Sequence, residues 1–267
     1  MTFTTEYLAG QASGLPHAVK HFTLNGATDA AHQSNITPIV FIHGGAWVDP
    51  NNTLDDFDSL IEKIDSLTEK RVDLFSLEYR LSPQVIHPTH LLDVLEALHL
   101  IYSQYKVREV VIVGHSVGAT LCSQIIDYKH VLEKYELEFT KQLPQIKSVV
   151  FLAGIYDVGN MLQDHPEYIS FVEKAFNSEN DWLNCCNMVQ FNNFDYYKQL
   201  FQTFETVIVL YSLNDELLPY NGQPEHFRKW LEISGITNAE YISDDFGRHN
   251  DIYSHEKLAK LITDKFI

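Results

Sequence analysis

The chain has 267 residues, 45% hydrophobic and 21% charged, with a formal net charge of −17 at pH 7. That balance supplies apolar material for a large core and excludes disordered, collagen-like and disulfide-scaffold architectures. So acidic a surface repels phosphate backbones and anionic lipid, so neither nucleic acid nor a membrane surface is expected as a partner.

The three cysteines, Cys122, Cys185 and Cys186, make neither a disulfide framework nor a zinc-ligand spacing. No metal and no cofactor is expected. The first residues lack a basic stretch followed by an apolar one, so no secretory leader is expected. The longest apolar runs fall short of the roughly 18 residues that span a bilayer. A reducing, cytoplasmic setting is therefore expected, and the sequons at Asn35 and Asn51 read as chance matches. The length allows two domains or one α/β domain with an insertion. Oligomeric state stays open, a homodimer included.

In chain order, an apolar run at 39–42 predicts a strand. Helical periodicity follows at 55–70, then a strand at 72–77, a helix at 90–105, a strand at 110–113 and a helix at 118–135. A strand at 149–152 precedes a stretch, 159–204, with no strand pattern. That stretch has short amphipathic pieces and many aromatics, among them Tyr168, Phe171, Phe176, Trp182, Phe191, Tyr196, Tyr197, Phe201 and Phe204. A strand at 207–211, a helix at 224–234, a weaker strand at 240–243 and a helix at 255–266 complete the chain. The strand runs are continuous rather than alternating, the mark of strands buried on both faces. The expected architecture is α/β: a doubly wound, mostly parallel sheet in a single domain over 1–267. Residues 159–204 form a helical insertion, or cap, within it.

Two strand ends carry candidate chemistry. Gly114-His115-Ser116-Val117-Gly118 is a G-x-S-x-G set between a strand and a helix. A sharp turn there points the serine hydroxyl outward, the glycines admit neighbouring chain, and the helix N-terminus offers N–H groups to an oxyanion. Ser116 is read as a nucleophile. His43-Gly44-Gly45-Ala46-Trp47 ends the 39–42 strand. N–H groups of Gly44, Gly45 and Ala46, with that of Val117, are read as an oxyanion hole, the alternative being an ordinary strand-end turn with a buried Trp. His43 precedes Ser116, the wrong order for a base in this topology. It is read as a structural residue that holds the loop by hydrogen bonding, and Trp47 as a further support of the motif.

The expected order is serine, acid, histidine. Of His226, His249 and His255, His249 alone lies in the loop after the last strand; the others sit in predicted helices. Asp215 follows the 207–211 strand and is read as the acid, with Asp157 as rival. Asp244 and Asp245 are read as solvated or capping residues. Tyr79 and Arg80 are left outside the site, since a loop support and a plain surface turn are equally open. Cys122 is read as core packing.

Together, the 43–47 and 114–118 motifs, Asp215 and His249 resemble the α/β-hydrolase fold and, within it, the fungal kynurenine formamidases (arylformamidases). The resemblance runs through nearly the whole chain, including Glu78-Tyr79-Arg80-Leu81 and Phe246-Gly247-Arg248-His249, and Trp47 separates it from a generic esterase. It implies hydrolysis of the small molecule N-formyl-L-kynurenine to L-kynurenine and formate, in tryptophan breakdown and on the route to NAD. It also implies Ser116 as nucleophile, Asp215 as acid, His249 as base and residues 43–47 at the oxyanion hole. A small-ester carboxylesterase shares this machinery. A non-catalytic binding protein of the same fold is the alternative from another class.

Overall fold

The computed structural model describes residues 1–8, 17–25, 36–186 and 193–267. Phe191 and Asn35, both singled out above, lie outside the described residues. In chain order the elements are β1 (Thr2–Tyr7), β2 (Ala18–Leu24), β3 (Ile39–Ile42), α1 (Asp58–Leu67), β4 (Val72–Glu78) and α2 (Thr89–Ser103). Then come β5 (Glu109–His115), α3 (Val117–Ile126), α4 (Tyr128–Glu133), β6 (Gln145–Leu152), α5 (Val158–Asp164) and α6 (Ile169–Ala175). The chain closes with α7 (Glu179–Leu183), α8 (Phe194–Phe201), β7 (Thr206–Ser212), α9 (Gln223–Ile233), β8 (Ala239–Asp244) and α10 (Glu256–Phe266).

Among the described residues the strands form one 8-stranded sheet in the order β1-β2-β4-β3-β5-β6-β7-β8. From β4 to β8 all pairings are parallel; β2 runs antiparallel to both of its neighbours. Side chains alternate across a strand, so a continuous apolar run feeds two cores. Val40 and Ile42 join Phe75, Leu77, Ile112, Val149 and Phe151 on the face covered by α2, α3, α8 and α9. Ile39 and Phe41 join Leu74, Val111, Val113, Val150 and Leu152 on the face covered by α1 and α10.

The strands β1 and β2 were not expected. In β2 the apolar pattern is broken by Lys20 and His21, and both are paired in the fold. Lys20 Nζ lies 2.6 Å from both Asp55 and Asp58, and His21 Nε2 lies 2.8 Å from Asp73. The edge strand β1 is largely exposed and shows no buried face. The helix expected over 118–135 is two helices, broken at Asp127. That buried carboxylate accepts from Tyr196 OH (2.7 Å) and Tyr197 OH (3.0 Å) and contacts His130 Nδ1 (2.6 Å). The helix expected over 55–70 starts only at Asp58, because Asp55 is spent on Lys20 and Asp56 accepts from Asn52 and Thr53.

The described part of 159–204 is helical and splits between two environments. Phe176, with Tyr168, Phe171 and Trp182 against it, packs on Trp47 and Val117 beside the end of β5. Tyr197, Phe201 and Phe204 pack instead with Phe227 and Trp230 on one face of the sheet. Among the described residues, no helix is long and apolar enough to cross a membrane.

Leu258 of α10 is fully buried in the core shared with α1. Leu258→Ala is expected to cost about 2–5 kcal/mol, read as a lower urea midpoint at unchanged denaturant slope.

Candidate active site

The end of β5 turns directly into α3, and Ser116 sits at the turn with φ 55° and ψ −121°. A side chain rarely adopts that conformation, and holding it costs about 1–3 kcal/mol. Main-chain packing holds it. A Cβ on Gly118 would lie 2.2 Å from the Ile42 carbonyl oxygen and 2.6 Å from that of His43. A Cβ on Gly114 would lie 2.3 Å from the Gly118 carbonyl oxygen. Only glycine admits these approaches. Val117 is the first residue of α3, so its N–H has no partner within the helix.

The loop after β3 lies against this turn. An added Cβ on Gly44 would come within 3.0 Å of Ser116 Cβ. Gly45, Ala46 and Trp47 follow with φ of 92°, 51° and 61°, a left-handed run that curls the chain beside the serine. The His43 ring stacks on Tyr79 at 4.4 Å, its Nδ1 lies 3.0 Å from the Gly44 carbonyl oxygen, and its Nε2 lies 3.3 Å from Glu78 Oε1. Tyr79 OH donates to the carbonyls of Gly44 (2.8 Å) and His43 (3.2 Å). Burial first, then Glu78 and Asp56, push this phenol well above its usual range, so it stays a donor. Tyr79, left outside the site on sequence, therefore braces the loop; its place right after β4, beside the β3 end, was the available signal. Arg80 points elsewhere, forking onto Asp93 at 2.8 and 2.6 Å. Trp47 is fully buried, its ring 5.1 Å from Phe176 and 6.3 Å from Phe171.

Asp215 and His249 come together. Asp215 Oδ2 lies 2.7 Å from His249 Nδ1, and both side chains are buried. Asp215 Oδ1 accepts from the N–H groups of Leu217 (2.9 Å) and Leu218 (2.8 Å), which leaves Oδ2 for the ring. Ser212 Oγ bonds Gly247 O and accepts from Phe246 N at 3.1 Å, tying the two loops together. His115, the neighbour of Ser116, places its ring 4.7 Å from that of His249 and its Nε2 3.0 Å from the His249 carbonyl oxygen. Thus His249 is anchored on the elbow from one side and on the acid loop from the other.

The rival residues lie elsewhere in the chemistry. Asp157 caps α5, accepting from Asn160 N at 2.9 Å. His226 is half-buried within α9, and His255 caps α10. Asp244 pairs with Lys257 at 2.8 Å, and Asp245 accepts from Gly247 N at 2.9 Å. Sequence reasoning also missed Glu216. Burial opposes its charge, but the His249 N–H and the Arg248 guanidinium hold its carboxyl below the usual carboxylate range. Cys122 is buried, and burial pushes its thiol up.

The family described as BD-FAE matches residues 27–231. A kynurenine formamidase of Meyerozyma guilliermondii is 39% identical over 231 residues, 86% of this chain and 84% of that protein. One of Saccharomyces cerevisiae is 33% identical over 238 residues, 87% of this chain and 89% of that protein. Among solved structures, carboxyl esterase 2 from Tuber melanosporum superposes with a TM-score of 0.69 at 16% identity, covering 100% of this chain and 87% of that one. That likeness shows the fold, which is α/β-hydrolase.

Three buried histidines make stability pH-dependent. Burial lowers His87 to about 3 and His90 to about 4, and burial with His249 nearby holds His115 well below the usual range. Each is neutral when folded and gains a proton on acid unfolding. Their contribution is therefore complete above about pH 6.5 and is lost as pH falls toward each folded value, at up to about 1.4 kcal/mol per pH unit per group. His87→Phe is expected to flatten the fall of the thermal midpoint between about pH 6.5 and 4.5; an unchanged slope would contradict this account.

Proposed function

Since the chain belongs to the BD-FAE family and to the kynurenine formamidase family, we infer that it hydrolyses N-formyl-L-kynurenine to L-kynurenine and formate. The observation that carries the mechanism is the buried Asp215–His249 pair set against the Ser116 elbow. In this reading Ser116 Oγ attacks the formyl carbon while His249 Nε2 takes its proton. Asp215 fixes the imidazole tautomer and stabilises the imidazolium. N–H groups of Val117 and of the 44–46 loop hold the tetrahedral oxyanion, each typically worth about 3–4 kcal/mol of barrier. The imidazolium then protonates the departing aryl amine. Water, deprotonated by the same histidine, attacks the formyl-enzyme and releases formate.

A formyl group has no acyl chain, so the acyl side needs little room. We place the aryl arm along the aromatic residues of the 159–204 cap that reach the site. Trp47 and Phe171 support that placement, as does Tyr168, whose OH donates to the Leu217 carbonyl at 3.3 Å across to the acid loop. The same reading takes the chain as one hydrolase domain and the enzyme as cytoplasmic. The buried free thiols support that setting.

The direct test compares kcat/KM for N-formyl-L-kynurenine and p-nitrophenyl acetate. The formamide is expected to be the better substrate; an ester preference of orders of magnitude would make this a carboxylesterase. Ser116→Ala is expected to abolish both turnover and fluorophosphonate labelling, and Asp215→Asn to lower kcat by about 10⁴. Tyr79→Phe removes the donor on Gly44 and is expected to lower kcat about tenfold, with KM nearly unchanged, by loosening the oxyanion loop.

A further inference from the structure

The acid loop grips His249 twice. Asp215 meets the ring at Nδ1, and the next residue, Glu216, accepts the main-chain N–H of the same histidine through Oε2 at 3.0 Å. The other carboxylate oxygen of Glu216, Oε1, lies 3.0 Å from Arg248 Nη2. Both oxygens are therefore engaged, and both partners belong to the histidine loop. We propose that Glu216 is a positioning residue for the hydrolysis, a strut that fixes the main chain of His249 while Asp215 fixes its ring. The proposal rests on the reading of Ser116, Asp215 and His249 as a triad.

The physical need is clear from the loop itself. With Asp215 on Nδ1 and His115 on the carbonyl, a His249 main chain left free at its N–H can still rock about those two contacts, carrying Nε2 away from the serine. Productive geometry demands placement within about 0.5 Å, and a misplacement of about 1 Å costs about a hundredfold in rate. His249 begins the 3-10 turn His249–Ser254, so its N–H is one of the groups such a turn cannot satisfy internally. A carboxylate satisfies it and suits the positive end of the turn. On the histidine loop, Ser212 Oγ bonds Phe246 and Gly247, upstream of the histidine. Glu216 extends the same cross-link to the base.

The test uses Glu216→Ala and Glu216→Gln. The alanine removes the acceptor; the glutamine keeps an amide oxygen for the His249 N–H. Steady-state turnover of N-formyl-L-kynurenine is measured beside the second-order rate at which a fluorophosphonate labels Ser116. Glu216→Ala is expected to lower kcat and the labelling rate by about tenfold or more with KM within about threefold, and Glu216→Gln to recover both to within about threefold of wild type. Wild-type rates in Glu216→Ala, or a Glu216→Gln as slow as the alanine, would overturn the proposal. A wild type that labels but leaves N-formyl-L-kynurenine intact would sink the proposed substrate instead, and the labelling rates would still decide the role of Glu216.

Discussion

Where β5 turns into α3, main chain packs on main chain with no room for a Cβ. The carbonyls that end β3 press against Gly118, and the Gly118 carbonyl presses against Gly114. That contact forces the left-handed conformation at Ser116 and brings the 43–47 loop against it. The rest of the site is arranged around this fixed point. His115 leaves the elbow on the side where it can hold the His249 carbonyl. Val117 leaves it into the cluster that joins Trp47 to Val172 and Phe176.

The buried polar residues near this point serve the same end. His43, Glu78 and Tyr79 lie beneath the loop that carries Gly44, and two of them direct a polar atom at a main-chain carbonyl. A carbonyl buried beside a strained turn needs a donor, because an unmet acceptor costs about 1–3 kcal/mol. The phenol of Tyr79 meets two such acceptors at once. In this sense the loop that carries Gly44 is held from below by strand-end side chains.

Much of the architecture was legible in the sequence because parallel strands buried on both faces leave continuous apolar runs, as at 39–42 and 149–152. The strand β2 was not, because Lys20 and His21 interrupt its pattern and their partners, Asp55, Asp58 and Asp73, lie far off in sequence. The break at Asp127 was hidden for the same reason: its partners Tyr196 and Tyr197 come from another helix. At the site, Ser116, Asp215 and His249 were singled out from their places at strand ends, and the structure brings the last two into contact. Tyr79 and Glu216 carry no motif. What they do depends on which strand ends become neighbours, and that is set by the strand order.

That order also explains why one loop can hold the histidine so fully. β7 and β8 are parallel neighbours, with Ser212 opposite Asp244 at their ends. The loops that leave them are therefore side by side from their first residues. Ser212 ties the start of the second loop, Asp215 the ring of His249, and Glu216 its main chain. The spacing of these bonds follows both loops outward from the sheet toward the elbow. A histidine on a loop would ordinarily be the least ordered member of such a site. Here parallel pairing turns two adjacent loops into one cross-linked unit, and His115 fastens that unit to the serine turn.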